Sequence, residues 1–246
     1  MYLLLEQHKH CRFSNPLAMM QYAFKAIRLL YAFLFIFLAT GCNDQPADTV
    51  TDIDGNVYPV VRIGNQVWMA QNLRVTRYRN GVPILLTSGN SEWSNAQTGA
   101  FCCYNNDTTY TGNYGLLYNW YAINDKRTIA PEGWHIPDAD EIAILVNTLR
   151  GDTSAGGFMK TPGTHDWLFP NTGATNASGF AALPGGYRDG NDGRFHTFSS
   201  NGYWWHTTGS YELYCWSNRF YNYFAEVKRD PQYFTFGFSV RCIKDN

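Results

Sequence analysis

The chain has 246 residues, room for one large domain or two small ones. Charged residues make up only 16% and aromatic residues 17%; rings bury so much apolar area that this balance excludes a disordered chain. The formal net charge is −1 and the body of the chain has no Lys/Arg run, which argues against nucleic acid as a partner.

Residues 25–42 read KAIRLLYAFLFIFLATGC. Lys25 and Arg28 make a positive start, and Leu29 to Leu38 form an apolar run too short to span a bilayer comfortably. Ala39-Thr40-Gly41 and then Cys42 complete the layout of a secretory signal peptide. The ending LATGC resembles the bacterial lipobox, which implies a lipidated Cys42 as the new N-terminus; the alternative is a transmembrane anchor with an incidental Cys. Translation is expected to start at Met19 or Met20, because Met1 makes the signal over-long. Residues 42–50 then serve as lipidated Cys and polar tether. Asp48-Thr49-Val50 resembles the short O-glycosylation signal of Bacteroidetes proteins. The chain is thus expected in the cell envelope, at the outer membrane or cell surface, meeting the membrane through its lipid.

Beyond the signal, Glu and Lys are scarce while Asn, Thr, Ser and Gly are abundant, so long helices are not expected. Val57 to Leu73 reads as a hairpin around Gly64-Asn65. Loops follow at Asn80-Gly81 and Ser88-Gly89-Asn90. Cys102 and Cys103 are adjacent, so on a strand at most one should face inward. With Cys215 and Cys242 they allow three complete disulfide pairings, and no CxxC spacing suggests zinc. YGLLYNWYAI, Tyr114 to Ile123, reads as a short buried helix. PDADEIAILVNTLRG is the clearest helix: Asp138 as N-cap, Glu141 closing a capping box, and Ile142, Leu145, Val146 and Leu149 on one face. Arg150 suits its last turn and Gly151 its stop. SGFAALPGGYRDGNDGRF is a loop turning at Asp192-Gly193, and TFGFSVRCI a final strand. No repeat or linker divides 51–246, which reads as one domain.

Between Tyr203 and Phe238, fourteen of thirty-six residues are aromatic. Neighbours on a strand face opposite sides, so Trp204 and Trp205 cannot both be buried by one sheet face unless a second layer covers the other. The same holds for Tyr221-Asn222-Tyr223-Phe224. Several rings should therefore lie outside, beside Ser217, Asn218, Arg219 and Asn222, as an amphipathic surface suited to sugars or proteins. The expected ligand-binding residues are Tyr211, Tyr214, Trp216, Asn218, Arg219, Tyr221 and Tyr223. The alternative is that the rings merely pack a domain short of aliphatics.

The blocks DIDGNVYPVVRIGNQVWMAQNLR, YGLLYNWYAI, PEGWHIPDADE, SGFAALPGGYRDGNDGRF, GYWWHTT and GFSVRCIKD occur in the order seen in the Fibrobacter succinogenes major paralogous domain. The resemblance covers nearly all of 51–246. It implies an α+β, C-type-lectin-like fold with two short helices and a small, loop-rich antiparallel sheet, in the branch shared with formylglycine-generating sulfatase-modifying proteins. It also implies that Trp204 or Trp205, Phe238 and Val240 are core. Members are typically secreted or lipid-anchored, and their molecular function is largely unassigned. Many relatives carry a Cys where this chain has Ala130; Cys242 is then free or re-paired, with Cys215 as the candidate partner.

The related enzymes need two close cysteines for copper or a His-x-x-x-His-x-Glu set. His135, His165, His196 and His206 do not form that set, and no HExxH, GxSxG or P-loop occurs. Asp189-Gly190-Asn191-Asp192-Gly193 is oxygen-rich enough for Ca²⁺ but lacks EF-hand spacing, so a solvated turn is the simpler reading. No catalytic residue, metal or cofactor is expected. The expected function is non-catalytic binding of a glycan or protein ligand by a surface-anchored domain. The alternatives are an enzyme of the sulfatase-modifying branch or a structural subunit of a surface assembly.

Overall fold

The structure, a computed structural model, describes residues 48–208 and 214–245. The described residues open with strands β1 (Thr49–Thr51), β2 (Val57–Ile63) and β3 (Gln66–Met69). Strand β4 (Leu85–Leu86), helix α1 (Asn90–Ser94) and β5 (Ala100–Cys102) follow, then α2 (Thr111–Tyr114), β6 (Leu117–Tyr118), α3 (Trp120–Ile123) and β7 (Trp134–His135). Two longer helices come next, α4 (Ala139–Thr148) and α5 (Asp152–Met159). The rest is β8 (Tyr187–Arg188), β9 (Phe195–His196), β10 (Asn201–Trp205), β11 (Tyr214–Tyr221), β12 (Val227–Tyr233) and β13 (Ile243–Lys244). The fold is α+β, with one five-stranded sheet ordered β1-β2-β3-β13-β7 and smaller sheets β10-β11-β12, β4-β5-β6 and β8-β9.

The hairpin around Gly64-Asn65 forms as expected, with Ile63 paired to Gln66 and Gly64 at φ 60°, the positive φ such a two-residue turn requires. The capping box also forms: Asp138 accepts from the Glu141 N–H, and Glu141 accepts from the Asp138 N–H, both at 2.9 Å. Two expected helices differ. Tyr114–Ile123 is divided: Tyr114 ends α2, Leu117–Tyr118 forms β6, and Asn119 caps α3 by accepting from the Ala122 N–H. Gly151 ends α4 but immediately starts α5, a helix whose Gly156 and Gly157 hid it from propensity.

The expected final strand is mostly irregular. Residues 236–242 run through the core and exchange single backbone pairings with Tyr118, Arg188, Tyr203 and Leu73 in turn, so no one ladder lasts. Phe238 and Val240 are buried, as the resemblance implied. Trp204 and Trp205 are both buried, because both faces of β10 are covered: Trp205 joins Phe238 and Tyr118 in one cluster, Trp204 joins Phe180 and Phe220 in another. Cys102 and Cys103 are likewise both buried, on opposite sides of the β5 segment, against the expectation of one. Cys102, Cys103, Cys215 and Cys242 are all free thiols, so the Cys215–Cys242 pairing does not form.

Irregular backbone leaves carbonyls that need donors. Two buried arginines supply them. Arg188 donates to the carbonyls of Thr87 (2.6 Å), Ser88 (2.8 Å) and Gly193 (2.8 Å) between the rings of Trp93 and Phe195. Arg241 donates to Asn72 Oδ1 and to the carbonyls of Met69, Phe180 and Ala181. A guanidinium with five donors is suited to this task without a carboxylate partner.

Candidate functional site

The aromatic segment forms an antiparallel hairpin of β11 and β12, with Tyr214 opposite Tyr233 and Phe220 opposite Val227. Strand alternation divides its side chains between two faces. Tyr214, Trp216, Asn218 and Phe220 share one face; Cys215, Ser217, Arg219 and Tyr221 share the other. The first face is open at one end and covered at the other. Tyr214 and Trp216 are exposed, whereas Asn218 and Phe220 are buried toward α4 and α5. The Tyr214 and Tyr233 rings pack at a tilt with centroids 4.6 Å apart, and their phenols meet at 2.9 Å. Trp216 stands opposite Pro231. These four make an exposed, ring-rich platform.

On the other face, Arg219 pairs with Asp230 at 2.7 Å and lies 4.4 Å over the Tyr221 ring. Tyr203, across the sheet, stacks on Phe238. Burial raises the Tyr221 phenol. Tyr221 and Arg219 are half-buried, so this face is a closed mosaic rather than an open platform.

A third group sits at the hairpin turn. Tyr223 is 63% exposed and Phe224 51%; on the adjoining loop Leu168 is 53% and Phe169 80% exposed. Their backbone is firmly held. Lys160 is buried, and its ammonium donates to the carbonyls of Thr172 (3.1 Å), Tyr221 (2.7 Å) and Phe224 (2.8 Å). Desolvation pulls its pKa down to about 8, so it stays charged at neutral pH. Asn222, also buried, donates to the Phe169 carbonyl at 3.0 Å. Gly156 and Gly157 of α5 let this turn approach: a Cβ would lie 2.6 Å from the Glu226 carbonyl oxygen and 2.5 Å from that of Gly173. The four apolar side chains are therefore displayed on locked loops.

Of the expected residues, Tyr214, Trp216 and Tyr223 are exposed and Arg219 and Tyr221 half-buried. Asn218 is a correction, because the covering helices close over that end of the face and leave it 3% exposed. The six described ones do not form one patch: Tyr214 and Trp216 lie on the face of the hairpin opposite Arg219 and Tyr221, and Tyr223 lies at the turn, where the Phe224 ring meets the Tyr221 ring with centroids 5.8 Å apart. Tyr211 and the lipidation residue Cys42 lie outside the described residues. Sequence reasoning missed Leu168 and Phe169, although an apolar pair within a polar Gly/Asn/Thr loop is a visible signal. It also left Phe224 outside the site.

Other chemistry is sparse. Burial pushes the Cys102 thiol up to about 12 and Cys215 up to about 11, so both are protonated at neutral pH. His135 bonds Glu141 at 2.9 Å and Asp245 at 2.6 Å, and these carboxylates raise its pKa against the opposing effect of burial. In the DGNDG loop, Asp189 and Asp192 come together with His196 of β9, one ligand atom from each lying within 4.8 Å of the others. Both aspartates already accept backbone N–H groups of their own loop.

A model of the Fibrobacter succinogenes major domain matches residues 61–244. No curated protein and no solved structure matches the chain. That match spans well over half of the sequence and every element from β3 through β13, and on it the chain belongs to the Fibrobacter succinogenes major domain family.

Proposed function

We propose that this chain is a lipid-anchored protein of the cell envelope whose domain captures a glycan or protein ligand without turnover. The observation carrying the binding reading is the exposure of Tyr214 and Trp216 on the β11–β12 ladder, and of Tyr223, Phe224 and Phe169 on backbone held by buried Lys160 and Asn222. The anchor rests on the sequence ending at Cys42. Large exposed rings on rigid loops supply contact area and lose little side-chain entropy when they bind. Loops that merely closed over a core would turn such rings inward.

The test is an array of glycans and surface proteins probed with the full-length chain in detergent. Trp216→Ala and Tyr223→Ala are expected to weaken capture about tenfold or more, while circular dichroism and melting stay unchanged. An empty array, or ligands retained equally by both variants, would show that this surface is not the binding surface.

A further inference from the structure

Just past the end of β10, the His206 N–H donates to the Trp216 carbonyl at 3.4 Å. The register places His206 directly across from Trp216, and Asn218 across from Trp204 and Arg229. His206, Trp216 and Asn218 therefore share one sheet face. Trp216 is 39% exposed; His206 and Asn218 are 2% and 3% exposed. Among the described residues, both ring nitrogens of His206 and both amide atoms of Asn218 lack a hydrogen-bond partner.

Thr87, Trp93, Trp120 and Asn171 each leave one buried polar atom unpaired, but among the described residues His206 and Asn218 alone leave two. Buried Asn72 has four partners: Tyr114, Ser239, Trp204 and Arg241. Buried Asn119 bonds Ala100, Ala122 and Thr98. Unpaired buried polar groups destabilise a fold, and their persistence at one spot marks a site shaped for something other than stability. Asn218 also lines a cavity of 20 Å³, space for about one water, walled mainly by apolar core side chains such as Ile142, Leu145 and Phe220; His206 and Trp216 do not line it.

We propose that His206 and Asn218 are the polar floor of a saccharide subsite walled by Trp216, and that they receive one hydroxyl of a neutral pyranose resting on the indole. This rests on the binding reading of the hairpin and names the ligand class for its Trp216 end. A neutral imidazole and a primary amide each offer a donor and an acceptor. A hydroxyl satisfies both kinds of group; a carboxylate offers only acceptors and an ammonium only donors. Burial lowers the His206 pKa to about 4, so the ring is neutral at ordinary pH. The nearest cation in register, Arg229, is engaged by Asp152 at 3.5 Å. Arg229 stands across from Asn218 on this same face. Because His206 and Asn218 are almost fully buried, side chains over them must shift when the sugar binds.

The test compares the full-length chain with His206→Phe, Asn218→Leu and Trp216→Ala. Methyl glycosides of glucose, mannose, galactose and N-acetylglucosamine serve as probes, read by saturation-transfer NMR and tryptophan fluorescence. Wild type is expected to bind at least one of them. His206→Phe and Asn218→Leu should each weaken that binding tenfold or more while raising Tm by about 2–6 °C, because each removes an unpaired buried group. If the larger phenyl ring of His206→Phe unfolds the chain, Asn218→Leu decides alone. The subsite is overturned if wild type binds no probe, if Asn218→Leu binds undiminished, or if Asn218→Leu lowers Tm. Should the saccharides fail while an array ligand is still lost in Trp216→Ala or Tyr223→Ala, the subsite falls and the broader reading stands.

Discussion

Lys160 and His206 show how single buried groups set the behaviour of the surface above them. The Lys160 ammonium joins the loop carrying Phe169 to the turn carrying Tyr223 and Phe224 through three carbonyls. Lys160→Met keeps the stem but strands those acceptors, so a loss of about 3–5 kcal/mol is expected by urea unfolding. Hydrogen exchange at residues 221–226 should accelerate more than in α4. Uniform acceleration across the domain would show that Lys160 is not a local clamp. His206 makes a pH prediction. Its folded pKa of about 4 lies below its ordinary 6.5, because burial disfavours the cation and the Arg229 charge adds to that, against a smaller opposing pull from Asp138. The fold's stability is undiminished by this group above pH 6.5 and falls by about 3 kcal/mol as pH drops toward 4, because the unfolded chain takes up the proton first. His135 works the other way: its raised pKa gives stability present below 6.5 and lost as pH rises through the folded value. Melting from pH 7 to 4 should therefore fall more steeply in wild type than in His206→Phe; parallel curves would mean that His206 is charged or solvated.

At the scale of elements, the β11–β12 hairpin turns one aromatic run into three environments. Alternation separates Trp216 from Arg219, and the cover of α4 and α5 separates Trp216 from Asn218 on the same face. The first of these effects is legible in the sequence, since period two needs only the strand. The second is not, because it depends on α5, whose two glycines argue against a helix. Those glycines are explained only by carbonyls of residues 173 and 226, distant in sequence, that approach too closely for a Cβ. Local signals fared best where the physics is local. The capping box at Asp138 and the Gly64-Asn65 turn are fixed by residues within four positions of each other. The 236–242 segment failed for the opposite reason: its pattern reads as a strand, but its partners come from several elements and break the ladder.

Across the whole molecule, aromatic content does two jobs that composition alone could not separate. Half of the fourteen late rings close two clusters, one on each side of β10. Others stand outside, at the platform on the β11–β12 ladder and at the turn, where buried Lys160 holds the backbone. Such a display is useful only if the domain is held where ligands pass. On the proposed reading, the lipid at Cys42 does this through a tether of a few residues, whose reach to Asp48 is at most about 20 Å. One acyl group holds a protein only marginally at a membrane, so a stable anchor requires several on that Cys. Cys42→Ala is then expected to abolish metabolic palmitate labelling and to release or mislocalise the chain. Its melting temperature should not change, because the family domain matched at residues 61–244 does not include Cys42. An unlabelled wild type would refute the lipobox assignment outright. A variant that loses the label yet stays with the membrane would instead place the anchor in the apolar run before Cys42, with the aromatic display kept at the same surface by a different device.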